Sequence, residues 1–203
     1  AFLSGPYDSL TGYMRDDLRM LNVIPTTRLN WFTNFNCPNE EEISIGGGNQ
    51  STANAILSIT GPNAIVDWIF VEIRDGGNYG SMVATKWGLL QRDGDIVSCF
   101  DGASPLTFSC VCPGNYYISV KHRNHLGIMS ANTIALSSSV ASIDFSDPLT
   151  AVWVKPTYPS VITNLPRLIL GNKALLWGGD ANVNKNGKYN GSSNDREQIL
   201  YDL

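Results

Sequence analysis

The chain has 203 residues, 43% hydrophobic and 16% charged, and its 14 Lys and Arg against 18 Asp and Glu give a net charge of −4. That balance excludes a disordered chain, which lacks the apolar residues for a core, and a nucleic-acid partner, which needs clustered positive charge. It also contains no run of the roughly 18 apolar residues that a membrane-spanning helix needs. What remains is a folded domain, or two small ones, whose 19 Gly suit tight turns between strands.

In chain order, Phe2-Leu-Ser-Gly-Pro-Tyr7 reads as extended. Ser9 to Leu21 reads as a helix capped by Thr11, because Met14, Leu18 and Leu21 fall on one helical face. Asn22 and Pro25 end it. Residues 28–50 are irregular, with a loop or hinge at Ile45-Gly-Gly-Gly-Asn49. The middle of the chain predicts strands. Ala64 to Arg74 is a dense β-branched and aromatic run between Gly61-Pro62 and Asp75-Gly76-Gly77. Met82 to Arg92 follows, and Asp93-Gly94 turns the chain into Asp95 to Phe100. After a second turn at Asp101-Gly102 come Leu106 to Val111 and, past Pro113-Gly114, Asn115 to His122. Shorter strands are expected at Ile128–Ser130, Thr133–Leu136, Ser142–Phe145, Ala151–Val154 and Lys173–Trp177.

Turn signals roughly every ten residues point to a sandwich or barrel. The expected fold is mainly β: an antiparallel β-sandwich, Ig-like or transthyretin-like, with a short N-terminal helix and a loop-rich C-terminal tail. Residues 1–50 read as an N-terminal extension packing on the core, 51–155 as the sandwich and 156–203 as the tail.

Cys37, Cys99, Cys110 and Cys112 are four in number, which allows three pairings. Cys110 and Cys112 lie two apart, so in a strand both point to one face and each suits a different partner. Two disulfides are therefore expected, linking Cys37 and Cys99 to Cys110 and Cys112 in an order the spacing leaves open, with four buried free thiols as the alternative. Such bridges imply an oxidising, extracellular setting. Ala1 rather than Met at the first position fits a mature chain trimmed by a signal peptidase. No C-x-x-C pair occurs and there are 2 His, a poor set for zinc.

The tail carries the sharpest local pattern, Asp180-Ala-Asn-Val-Asn-Lys-Asn-Gly-Lys188. Oxygens at alternate positions, from Asp180, Asn182 and Asn184, are what a hard cation takes from a tightly turned loop. The backbone carbonyl of Asn186 and the carboxylate of Asp195 complete a candidate calcium site, with an Asn-rich turn held by its own side chains as the alternative. Position six is Lys185 and position twelve Gly191, departures from an EF-hand that point to modest affinity.

A second cluster is Lys121-His-Arg-Asn-His-Leu126. Residues i and i+3 on a strand face opposite sides, so the two His meet only if a turn intervenes. The favoured reading pairs His122 and Arg123 with carboxylates such as Asp67, Glu72 or Asp93 at a sheet end. No G-x-S-x-G, P-loop or G-x-G-x-x-G occurs, so the chain reads as a binding or structural protein rather than an enzyme. Trp31, Phe32, Tyr79, Trp87, Trp153 and Tyr158 are candidates for a sugar-stacking platform or an assembly surface.

Several strings, taken together, resemble a recurring module. They are Leu3-Ser-Gly-Pro-Tyr7, Met14-Arg-Asp-Asp-Leu-Arg19, Ile24-Pro25, Gly61-Pro-Asn-Ala-Ile-Val-Asp-Trp68 and Val71-Glu-Ile-Arg-Asp75. Leu90-Gln-Arg-Asp-Gly-Asp95, Gly114-Asn-Tyr-Tyr117, Lys121-His-Arg-Asn-His-Leu-Gly127, Gly179-Asp-Ala-Asn182 and Asn194-Asp-Arg196 continue the series. The module lies toward the C-terminal ends of large secreted, hemagglutinin-like surface proteins of Bacteroidota. The resemblance implies a cell-surface location and a dockerin-like calcium loop at Asp180, Asn182 and Asn184; the cysteines fall outside it. The combined expectation is an extracellular structural or adhesive subunit with bound Ca2+. Such a subunit self-associates into a filament, sheath or layer, or docks on neighbouring surface-protein domains. A carbohydrate-binding module that takes glycans is the alternative.

Overall fold

The computed structural model describes residues 1–28, 50–109, 111–154 and 166–179. Its elements run β1 (Phe2–Leu3), β2 (Tyr7–Asp8), β3 (Tyr13–Met14), α1 (Asp17–Met20), β4 (Thr27–Arg28), β5 (Gln50–Ser51) and α2 (Asn54–Leu57). After a 3-10 turn at Gly61–Asn63 come β6 (Ile65–Asp75), β7 (Met82–Gln91), β8 (Ile96–Val97), β9 (Gly114–His122), β10 (His125–Met129) and β11 (Ile134–Leu136). The last two are β12 (Arg167–Leu170) and β13 (Lys173–Leu176). The protein is mainly β, with two short α-helices among the described residues.

The core grows outward from β6. Its β-branched and aromatic residues favour an extended backbone, and its first nine residues are all buried. A strand buried on both faces needs a layer on each side. β6 lies at the centre of an antiparallel sheet in the order β10-β9-β6-β7-β8, with β11 also pairing β9. On one face, Val66, Ile69, Val71 and Ile73 join Ile118, Val120 and Phe145. Phe2, Leu3, Leu175 and Leu176 complete this cluster from the three-stranded sheet β1-β13-β12. On the other face, Trp68, Phe70, Trp87 and Leu89 pack with Ile24, Ile56, Val97 and Cys99. The Phe70 and Trp87 rings meet edge-on at 4.9 Å. Each of these large apolar side chains stabilises the fold by about 1.5–3 kcal/mol through burial.

The long strands fall where the sequence predicts them, and several short elements do not. Ser9 to Leu21 is not one helix: Tyr13–Met14 is a strand paired with Tyr7–Asp8, and only Asp17–Met20 is helical. Turn chemistry wins there. Asp8 accepts hydrogen bonds from the Leu10 N–H and the Thr11 hydroxyl, and Gly12 takes a left-handed φ of 74°. Leu21, predicted inward, is exposed. Leu106 to Ser109, Ser142 to Phe145 and Ala151 to Val154 form no strand. Asp144 and Asp147 instead cap local turns by accepting from the N–H groups of Ser146 and Leu149. The start of the N-terminal segment joins a sheet: β1 pairs in parallel with β13, Phe2 opposite Leu175 and Leu3 opposite Leu176.

Candidate functional site

At one end of the large sheet, β9 stops at His122, the chain turns through Arg123 and Asn124, and β10 begins at His125. The turn supplies the reversal that the i, i+3 spacing requires, so the two imidazoles become cross-strand partners. Their rings meet edge-on with centroids 4.9 Å apart. β6 delivers Asp67 to the same place from a bulge between Ile65 and Asp67. All three residues are buried, Asp67 at 1% exposure, His122 at 8% and His125 at 7%.

Asp67 Oδ2 lies 3.1 Å from His122 Nε2 and accepts from Arg123 Nε at 2.9 Å and Nη2 at 2.8 Å. Its other oxygen accepts the Trp68 N–H at 2.8 Å. Pairing of His122 and Arg123 with Asp67 is thus one of the contacts the sequence leads one to expect. Burial pushes the Asp67 carboxyl up, but His122, the Arg123 guanidinium and the Trp68 N–H pull it further down, so it lies below its ordinary value.

Two backbone amides assign the imidazole protons. The Gly5 N–H points at His125 Nε2, 3.4 Å away, so that nitrogen accepts and the proton sits on Nδ1. His125 Nδ1 lies 3.0 Å from His122 Nδ1, which also takes the Asn124 N–H at 3.2 Å. His122 Nδ1 is therefore an acceptor, and its proton sits on Nε2, facing Asp67. The result is a one-directional chain of hydrogen bonds from Gly5 through both rings to the carboxylate. Burial, and then repulsion from any charge on His122, lowers the His125 pKa to about 3 against a partial opposing pull from Asp67. The His125 ring is uncharged at neutral pH, and Asp67 and Arg123 form an ion pair.

Farther along β6, Glu72 meets Lys121 and Arg74, the latter at 2.8 Å through Nε and 2.7 Å through Nη2. Burial pushes the Glu72 carboxyl up, and the two cations hold it below its ordinary value. Glu72 thus lies apart from His122, although the sequence offers it as a partner. Beyond it sits an aromatic group. Tyr79 from the β6–β7 turn stands edge-on to Tyr117 at 6.3 Å and tilted against Trp153 at 5.4 Å. Of the six aromatics expected at the surface, Trp87 is instead buried at 2% exposure, packed on Phe70. Trp31, Phe32 and Tyr158 lie outside the described residues.

The calcium candidates Asp180, Asn182, Asn184, Asn186 and Asp195 also lie outside the described residues, as do Cys37 and Cys110. Among the described residues, no three His, Cys, Asp or Glu side chains converge as a metal set. Cys99 and Cys112 are free cysteines, so the bond between these two, one of the pairings the sequence leaves open, is not formed. Cys99 is buried, donates to Gln50 Oε1 at 3.3 Å, and has its thiol pKa pushed up by burial. Sequence reasoning missed Gly5 and Gly178, which flank His125 through backbone and so leave no side-chain signature, and Ser4, whose hydroxyl accepts from the Gly178 N–H. Among the described residues, no helix is long and apolar enough to cross a membrane. No family model, curated protein or solved structure matches this chain.

Proposed function

We propose that this protein is an extracellular structural or adhesive subunit that associates with further copies of itself by strand addition. The observation that carries the reading is the outer edge of the three-stranded sheet. Among the described residues β12 pairs with β13 alone, and its last residues, Ile169 and Leu170, are 36% and 44% exposed. Arg167-Leu-Ile-Leu170 contains no Pro, no Lys and no bulge, the usual devices that keep an edge from pairing. A second copy's β12 laid antiparallel on it forms an isologous pair joined by backbone hydrogen bonds and apolar side chains. The six- and three-stranded sheets with a shared core fit an Ig-like or transthyretin-like sandwich, and the resemblance to Bacteroidota surface modules supports an extracellular place. The non-enzymatic side of the reading is supported by the histidines: both are buried and committed to the Asp67 network. Light scattering and electron microscopy of the purified chain test the proposal, with and without calcium. Concentration-dependent dimers are expected, and Ile169→Lys with Leu170→Lys should leave monomers of unchanged melting temperature. A wild type that stays monomeric in both conditions refutes it. Chelation should also lower the melting temperature if the Asp180 to Asp195 loop holds Ca2+.

A second reading, a carbohydrate-binding module, is favoured by the Tyr79–Tyr117–Trp153 group, since Tyr79 is 46% exposed. Aromatic faces stack on the apolar faces of sugar rings. A glycan array decides it: binding lost in Tyr79→Ala supports a sugar site, and an empty array removes it.

A further inference from the structure

We propose that the His122–His125 pair is a pH-operated latch, holding the N-terminal segment on the sheets at neutral pH and releasing it on acidification. It stands independently of assembly through β12.

The latch is built from three segments. The His125 imidazole is wedged between Gly5 and Gly178: a Cβ on either glycine would lie 3.6 Å or 3.5 Å from its Nε2. The same N-terminal stretch is tied to the end of β13 by the Ser4 N–H to the Leu176 carbonyl at 3.0 Å. The Gly178 N–H returns the tie by donating to Ser4 Oγ at 2.9 Å. The Leu126 N–H to the Trp177 carbonyl at 2.8 Å, and the Gly179 N–H to the Asn124 carbonyl at 3.0 Å, fix the His hairpin to the chain beyond β13. Of these attachments, the one from Gly5 to His125 ends on a group that titrates.

When His125 takes a proton, Nε2 becomes a donor and faces the Gly5 N–H. A buried pair of donors with no acceptor between them is unfavourable, and the segment that can leave is the N-terminal one. It is held on the core by Phe2 and Leu3, by Ala1 and Tyr7 packed beside them, and by the Ala1 amino group. That group donates to the Gly94 carbonyl, and burial lowers its pKa to about 6. Burial of Phe2 and Leu3 sets the closed state as the resting state.

Among the described residues, few charged and titratable groups face the pair. Asp67 and Arg123 neutralise each other beside His122, and Arg15 reaches the Gly5 carbonyl at 3.5 Å from the β3 side. Ser4 and Gly178 bring neutral groups. With the segment closed, burial keeps the His125 pKa near 3. With it open, the ring meets water and regains a value near 6.5. Linkage then moves the open-to-closed ratio toward open by about 10-fold for each pH unit below 6.5, until the closed form itself takes the proton.

Amide hydrogen exchange of the full chain, corrected for intrinsic rates, reads both parts separately. Below about pH 6, where the Ala1 amine is charged whether the segment is open or closed, protection across residues 2–8 should fall by about 10-fold per unit down to pH 4 while residues 65–75 stay protected. His125→Gln keeps an acceptor for Gly5 but takes no proton, and should flatten the slope. Ser4→Ala loosens the tie to Gly178, and should lower protection of residues 2–8 at every pH without changing the slope. Three results overturn the latch: a flat wild-type profile, parallel loss across residues 2–8 and 65–75, or a slope that survives His125→Gln. Where His125→Gln fails to fold, Ser4→Ala decides, and unchanged protection in that variant is equally fatal.

Discussion

Replacing Asp67 by Asn tests whether the buried carboxylate organises the sheet end. The amide keeps the size of the side chain and can still accept from the Trp68 N–H. It cannot carry the charge that meets Arg123 and His122, and its NH2 opposes their donors. A hydrogen bond to a charged group contributes about 1.5–3 kcal/mol. The Arg123 side chain is 26% exposed, so water replaces part of what it loses, whereas His122 at 4% has no such recourse. The sum comes to about 3 kcal/mol, or a fall of roughly 6–12 °C in melting temperature for a chain of this length. The effect has a defined pH signature. Because the folded-state pKa of Asp67 lies below 3.8, its stabilisation is fully present above that value and fades as pH falls through the folded pKa. Urea titrations of wild type and Asp67→Asn should therefore differ by a constant amount from pH 7 to about 4, and by less below. A difference under about 1 kcal/mol at pH 7 refutes the assignment of the network to Asp67.

Arg167 is a buried guanidinium whose Nη1 donates to the Phe145 and Asp147 carbonyls at 2.8 and 3.0 Å and whose Nη2 donates to the Thr150 carbonyl at 2.6 Å. A Lys ammonium cannot span that fork, so Arg167→Lys should cost about 2–3 kcal/mol by urea titration. At Gly76 a Cβ would sit 2.1 Å from the backbone oxygen of Asn115, whereas at Gly77 the nearest atom is the Asp75 side chain at 3.3 Å. Gly76→Ala should thus destabilise by about 3 kcal/mol or more and Gly77→Ala by much less, read by thermal melts. Site-resolved thiol labelling of the native chain should modify exposed Cys112 quickly and leave buried Cys99 until unfolding. A Cys112 that labels only after reduction would instead show that it is bridged.

The sequence makes the central strands legible because each is long and dense in residues that favour extension. Ala64 to Arg74, Met82 to Arg92 and Asn115 to His122 correspond to β6, β7 and β9 with ends shifted by one residue or less. β12 is not legible in the same way. Four residues after Pro166 show no alternation, and pairing with β13 makes them a strand. The helix expected over Ser9 to Leu21 fails because Met14, an inward position on that helix, is equally buried on a strand whose N–H bonds the Arg92 carbonyl. Of the site, the Asp67–His122–Arg123 contact is visible as complementary charge, and its closure onto Gly5 is not.

The pairing of β1 with β13 has a consequence for how the molecule is made. Ser4 and Gly178, joined at the end of that pairing, are 174 positions apart. Closing a loop of that length costs on the order of 5 kcal/mol of chain entropy before any contact repays it. The β6–β7 and β9–β10 hairpins close over a few residues and need no such wait. Topology thus places the closure of β1 onto β13 after the hairpins, β12–β13 among them. On the ribosome, Phe2 and Leu3 stay exposed until β13 emerges, and newly made chains carry β1 unpaired while everything between it and β13 is synthesised.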